Sequence, residues 1–157
     1  MVDSGGLVSV FYGKYYNAID SKGRAIIPAP FRDIIKNNYS TKLYVTNAPL
    51  ENCLNIYPQE EWLKLQEKVR KLPRSDRAMR VFRYRVIASA QECELDKQGR
   101  ILIPLSLRED GRLNSDVVVV GQIDWIELWN REEWDKVVDP SGMDSREYEE
   151  RLAELGL

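Results

Sequence analysis

Two short stretches of the chain, Asp20-Ser-Lys-Gly-Arg24 and Asp96-Lys-Gln-Gly-Arg100, each set a carboxylate four residues ahead of a guanidinium, with a glycine between them. An aspartate just before a tight turn can accept backbone N–H groups and hold the loop, and Gly23 or Gly99 can supply the positive φ that such a turn requires. Arg24 and Arg100 can each close a salt bridge to the aspartate of their own loop. They can equally be carried by the turn toward phosphate, or toward O6 and N7 of guanine, which the guanidinium fork matches in shape. In that second reading Lys14, Lys22 and Lys97 add phosphate contacts, which position a protein on a duplex without specifying sequence. Gln98 stands where the first loop has Lys22, so the first loop is expected to carry more of the affinity. Paired carboxylates also serve glycosidase chemistry. The recurrence of Asp20 and Asp96 at equivalent places, each with its arginine, argues instead for a loop-holding role.

Other chemistries are narrowed by composition. The 157 residues include no histidine, which removes Ser-His-Asp triads and His-bearing zinc sites. Cys53 and Cys93 lie forty positions apart with no Cys-x-x-Cys partner, so they read as two reduced, largely buried thiols; no metal, cofactor or small-molecule substrate is expected. The 43% apolar and 31% charged content is that of a globular chain, and no apolar run approaches the roughly 20 residues needed to span a bilayer. The opening residues have an acid and no basic region before their short apolar stretch, unlike a signal peptide. A cytoplasmic location is expected.

The elements that must carry these loops come from an internal repeat. Ile19 to Pro28 aligns without gaps with Leu95 to Pro104 at an offset of 76, continuing to Phe31-Arg32 against Leu107-Arg108. The match resumes at an offset of 72, where Leu54 to Trp62 aligns with Ile126 to Trp134. Each half predicts a strand before the loop (13–19; 92–95), a β-branched strand after it (25–27; 101–103), and a proline ending that strand. A short helix (30–36; 105–108) and two further strands (43–46 and 53–57; 117–120 and 125–129) follow. Pro58 or Asn130 then opens a helix with two glutamates in its first turn, where negative charge suits the helix dipole. Trp62, Leu65, Val69 and Leu72 form an apolar stripe expected to lie on the sheet until Pro73 stops the helix. A linker helix is predicted from Ser75, with Met79, Phe82 and Val86 on one face and its arginines mostly pointing away. Residues 144–157 read as a short acidic helix. Modules of about 60 to 75 residues bury little surface alone, so the halves are expected to share a core.

The net charge of −2 hides a segregation. Lys64 to Arg85 holds nine basic residues against two acids, a net of +7, whereas Glu127 onward holds ten acids against four bases, a net of −6. The basic linker reads as a solvated helix face, as a phosphate contact, or as a partner for the acidic stretch of another subunit. Unlike surfaces meeting head to tail close into rings. Trp62 and Trp134 recur at equivalent helix positions, which favours core packing of the tryptophans over base stacking. Tyr12, Tyr15 and Tyr16 are open between a nucleic-acid contact and a subunit contact.

The stretch Phe11-Tyr-Gly-Lys-Tyr-Tyr-Asn-Ala-Ile-Asp-Ser-Lys-Gly-Arg24, with Glu92-Cys-Glu-Leu-Asp-Lys-Gln-Gly-Arg100, resembles the two repeat signatures of the MraZ family, within the AbrB-like swapped-hairpin superfamily. The resemblance covers about residues 10 to 150 and rests on two motifs in register with flanking Ile-Pro and Glu-Glu-Trp elements. It implies an α+β, mainly β fold: two tandem swapped-hairpin modules forming one pseudo-symmetric β-barrel with flanking helices. The expected divisions are an N-terminal extension over 1–9, disordered; a first repeat over 10–72; a basic linker helix over 73–88; a second repeat over 89–138; and an acidic tail or helix over 139–157. Val10 stands where the family's chains begin with methionine, which is why 1–9 is read as an extension. The resemblance further implies a non-enzymatic, nucleoid-associated regulator. It would bind repeated elements of double-stranded DNA in its own promoter, ahead of a division and cell-wall gene cluster, as a ring-like homo-oligomer. Arg24 and Arg100 would lie on the DNA-facing surface. The alternative is a protein-interaction module of antitoxin-like type that holds a partner protein.

Overall fold

Proline and asparagine set most of the element boundaries. Pro28, Pro58 and Pro104 each end a strand and stand as the N-cap of the following helix, and Asn130 does the same with its side chain accepting from Glu132 N–H at 2.8 Å. The computed structural model describes residues 9–157, so the expectation for the N-terminal extension falls, through residue 8, outside the described residues. In chain order the first half gives β1 (Lys14–Ala18), β2 (Arg24–Ile26), α1 (Ala29–Asn38), β3 (Lys42–Asn47), β4 (Leu54–Pro58) and α2 (Gln59–Arg70). Then come α3 (Arg77–Phe82) and a π-helical turn (Arg83–Ile87). The second half gives β5 (Gln91–Glu94), β6 (Arg100–Leu102), α4 (Leu105–Asp110), β7 (Asp116–Gly121), β8 (Ile126–Asn130), α5 (Arg131–Val138) and α6 (Ser145–Glu154).

The strands of the described residues form a six-stranded antiparallel sheet in the order β1-β7-β8-β4-β3-β5 and a separate two-stranded ribbon of β2 and β6. Partners come from opposite halves: β1 pairs with β7, β5 with β3, β4 with β8 and β2 with β6. Each half thus lends its opening strand to the other half's hairpin. Ile27, Phe31 and Leu54 from the first half and Ile103, Leu107 and Leu128 from the second are buried in one hydrophobic cluster. The core is shared, as the small size of each half requires.

Two smaller clusters lie under the helices. Trp62 of α2 stacks on Tyr44 with ring centroids 5.5 Å apart, beside Tyr57 and Val86, and Trp134 of α5 meets Trp129 edge-on at 5.8 Å. The tryptophans are packed against protein. Leu72, expected on the α2 stripe, is exposed, because α2 ends at Arg70 and the chain has left the helix by that point. The linker helix starts two residues later than Ser75, where Asp76 caps it by accepting from Met79 N–H at 3.0 Å. Its arginines divide: Arg77 and Arg80 are exposed, whereas Arg83 donates to the Val69 carbonyl at 3.0 Å and Arg85 to the Ala48 carbonyl at 3.0 Å. The outward orientation expected for most of them holds at Arg77 and Arg80 and not at Arg83 and Arg85. A helix C-terminus and a loop leave carbonyls without intrinsic partners, and a charged donor satisfies them.

Candidate nucleic-acid interface

The two loops are built alike. Asp20 Oδ1 accepts from the N–H groups of Lys22 (3.0 Å) and Arg24 (2.9 Å), while Asp96 Oδ1 accepts from those of Gln98 (2.9 Å) and Arg100 (2.8 Å). Gly23 and Gly99 close the turns at φ +88° and +78°, conformations that side-chain-bearing residues rarely adopt. Each turn is also tied to the other half: Ile103 N–H donates to the Gly23 carbonyl and Ile27 N–H to the Gly99 carbonyl, both at 2.9 Å.

The salt-bridge reading and the presenting reading of the arginines turn out to be compatible. Arg24 Nε donates to Asp20 Oδ2 at 2.7 Å and Arg100 Nε to Asp96 Oδ2 at 3.1 Å, which fixes each guanidinium by its inner edge. Among the described residues the Nη groups of Arg24 have no hydrogen-bond partner, whereas Arg100 Nη2 donates to Gln98 Oε1 at 2.6 Å. A guanidinium has five N–H donors, so the outer edge of Arg24 is open for a bidentate contact.

The ribbon puts the two arginines side by side. Arg24 pairs with Leu102, Ala25 with Ile101 and Ile26 with Arg100. Paired residues share a face and successive residues alternate. Ala25 and Ile101, each 1% exposed, therefore point into the core, and Arg24, Ile26, Arg100 and Leu102 share the outer face. Arg24 and Arg100 are diagonal neighbours, about 7 to 8 Å apart by strand geometry. Ile26 and Leu102, 44% and 56% exposed, lie between and beside them. Lys22 and Lys97 are exposed on the flanking turns.

Lys14 is not brought to this surface. It lies on β1 opposite Val120, on the sheet face covered by α5, with its ammonium 5.9 Å from the Trp134 ring and 6.0 Å from the Tyr16 ring. The ribbon packs on the other face, in the cluster that holds Val117 and Val119. Conversely, two residues not singled out for the site take part in building it. Arg32 of α1 lies over Gly99 and donates to the Ile27 carbonyl at 2.8 Å; Arg108 of α4 lies over Gly23 and donates to the Ile103 carbonyl at 3.0 Å. A Cβ on Gly23 would fall 2.7 Å from the Arg108 guanidinium carbon, so the glycine is needed for its positive φ and any side chain there would also displace the tip of Arg108. Their signal in the sequence was the match of Phe31-Arg32 with Leu107-Arg108 within the repeat.

The hydrogen bond from the Arg24 backbone, with further bonds from the Arg24 side chain and Lys22, lowers the Asp20 carboxyl from 3.8 to about 2 despite the cost of desolvation. Asp96 is lowered for the same reason, led by the Arg100 backbone. A folded-state value below the unfolded one means that the stabilisation is complete above the ordinary carboxyl range and is lost as pH falls through the folded value. Comparing wild type with Asp20→Asn, denaturant midpoints should fall more for wild type between pH 4 and about 2. Equal falls would mean that the carboxylate does not hold the loop.

Among the described residues no group of His, Cys, Asp or Glu is arranged to hold a metal ion, and no helix is long and apolar enough to cross a membrane. Burial raises both thiols, Cys93 to about 12. The surface therefore offers clustered cations on a two-stranded ribbon.

Comparison with known proteins gives a consistent result. A family model described as "MraZ protein, putative antitoxin-like" matches residues 10–84 and 86–155. A protein of Heliobacterium modesticaldum called Transcriptional regulator MraZ is 39% identical over 148 residues, 94% of this chain and 100% of the relative. Proteins of the same name from Natranaerobius thermophilus and Clostridium tetani are 42% identical over 126 residues (80% of this chain, 85% of the relative) and 38% identical over 148 residues (94% and 100%).

Proposed function

The chain belongs to the MraZ family, and from that premise we propose that it is a transcriptional regulator that binds double-stranded DNA sequence-specifically through its two Asp-x-x-x-Arg turns. The observation that carries this reading is the shared outer face of Arg24 and Arg100 on a two-stranded antiparallel ribbon. A ribbon of that width fits the major groove, where arginine pairs bidentately with guanine. Lys22 and Lys97 supply phosphate contacts beside it, with Arg32 and Arg108 buttressing the turns. Lys14 contributes from the far face of the sheet only if a neighbouring subunit or bent DNA reaches it.

In this reading the six-stranded sheet and the ribbon are the walls of one pseudo-symmetric barrel of two swapped-hairpin modules. The modules are residues 10–72 and 89–138, joined by the linker 73–88 and followed by the tail 139–157. The reciprocal strand pairing and the shared core support it. The protein acts without enzymatic chemistry, in the cytoplasm at the nucleoid, as a ring-like homo-oligomer on repeated elements in the promoter of its own division and cell-wall gene cluster. One ribbon makes few contacts. Several ribbons on direct repeats make the later contacts intramolecular, so weak single sites add up to tight binding.

Fluorescence anisotropy with a duplex from upstream of the gene and a shuffled duplex, at several salt concentrations, tests this. The native duplex should bind tens of fold tighter, and log affinity should fall with log salt by about 0.9 per neutralised phosphate. Equal, weak binding to both duplexes at low salt would overturn specific DNA recognition.

A further inference from the structure

The C-terminal helix has no evident place in the fold. Every residue of α6 except Leu152 is exposed, although Tyr148, Leu152 and Leu155 recur at i, i+4 and i+7 and form an apolar stripe. From Asp144 to Glu154 five acids stand against two bases. Glu150 and Glu154 pair within the segment with Arg146 and Arg151, which leaves Glu147 and Glu149 with no ion-pair partner among the described residues. An amphipathic helix with an uncovered stripe has a partner to find.

A surface of the opposite character lies on the same chain. Between α2 and the π-helical turn runs a groove of about 180 Å³, floored by Val69 and Ile87 and lined by Arg70, Arg74 and Arg83. Arg70 has a single exposed contact to Glu67 at 3.4 Å. Arg83 spends Nη2 on the Val69 carbonyl, but its Nε is buried with no hydrogen-bond partner among the described residues. Arg83 lines the groove as a charged donor, and a carboxylate is the strongest acceptor for a guanidinium. Leu72 lies exposed two residues beyond the end of α2.

We propose that α6 of one copy docks on the groove between α2 and the π-helical turn of a second copy. Its free glutamates meet Arg70, Arg74 and Arg83, and its Tyr148-Leu152-Leu155 stripe covers the apolar floor and Leu72. The occupant is a second copy because the two surfaces are complementary in both charge and apolar character. Because the donor and acceptor surfaces differ, the contact is head to tail and leaves one copy with a free groove and the other with a free α6. This inference rests on the self-association in the proposed function and names the surfaces that make it.

Two charge-reversed chains test it without DNA, by light scattering coupled to gel filtration at low and high salt. One carries Arg70→Glu and Arg74→Glu; the other carries Glu147→Lys and Glu149→Lys. Each alone should associate more weakly than wild type by on the order of tenfold or more, since like charges then face each other. Mixed in equal amounts they should recover the wild-type mass, because the acidic tail of the first fits the groove of the second and the reversed pair fits as well. Recovery also demonstrates that both variants are folded and that docking is between chains. If wild type assembles but both variants assemble as well as it does, this docking is wrong and the self-association reading stands. If wild type is a monomer throughout, both fall together.

Discussion

Arg24→Ala is expected to weaken binding to the native promoter duplex by about 10- to 100-fold while changing binding to a shuffled duplex far less, since a bidentate arginine contact to guanine discriminates by about 1 to 3 kcal/mol. Arg100→Ala is expected to lose less. Both guanidinium groups are fixed through Nε by an aspartate of their own turn, but only Arg100 also gives an Nη group to a neighbouring side chain, Gln98. Lys22 places an exposed cation beside Arg24, where the second loop has the neutral Gln98. Lys14→Ala is a useful contrast, because its ammonium sits against Trp134 and Tyr16 on the other side of the sheet. Its loss should leave discrimination between native and shuffled duplexes intact. Competition binding at one fixed salt concentration reads all three, and equal losses for Arg24→Ala and Arg100→Ala would contradict the asymmetry.

Gly121→Ala is expected to be the most damaging glycine-to-alanine change among the described residues, lowering stability by about 3 kcal/mol. Gly121 is not in the left-handed region, so backbone conformation is not the reason. The added Cβ would stand 2.5 Å from the Phe11 carbonyl carbon and 2.6 Å from Tyr12 Cα, which are main-chain atoms and cannot rotate away. Moving them drags Phe11, fully buried against Phe31 and Tyr39, out of the core and breaks the 2.8 Å hydrogen bond from Gly121 N–H to the Gly13 carbonyl. Urea midpoints for Gly121→Ala and for Gly142→Ala, whose Cβ would meet nothing within 4 Å, provide the measurement. A Gly142→Ala effect as large as that of Gly121→Ala would rule out the steric explanation.

The contrast between these residues shows what could be read from the chain itself. The Asp-x-x-x-Arg turns were legible because their cause is local: an aspartate and a glycine three residues apart determine a turn whatever surrounds it. Element positions were legible for the same reason, and each strand lies within a residue or two of its expected range. The repeat revealed which segments are equivalent. It could not reveal that β1 pairs with β7 rather than with its own half, because a strand's hydrophobic pattern specifies a face and not a partner. The position of Lys14 was illegible on that account. Alternation puts it with Tyr16, but which face of the sheet the ribbon covers depends on the pairing between halves. Arg32 and Arg108 were visible as repeated residues, yet their contact with the opposite turn spans more than sixty positions in Arg32 and eighty in Arg108. Arg83 and Arg85 turned inward because carbonyls elsewhere needed donors, which no local pattern records.

Photocrosslinking from the ribbon itself tests the central claim most directly. A photoreactive side chain is placed singly at Ile26, at Leu102 and, as the control, at Tyr16, all three of which are exposed. Each variant is bound to the native duplex and irradiated. The account predicts crosslinks to DNA from positions 26 and 102, with little from position 16. Crosslinks from position 16 alone, with duplex binding intact in all three variants, would contradict it and move the interface to the opposite face of the sheet.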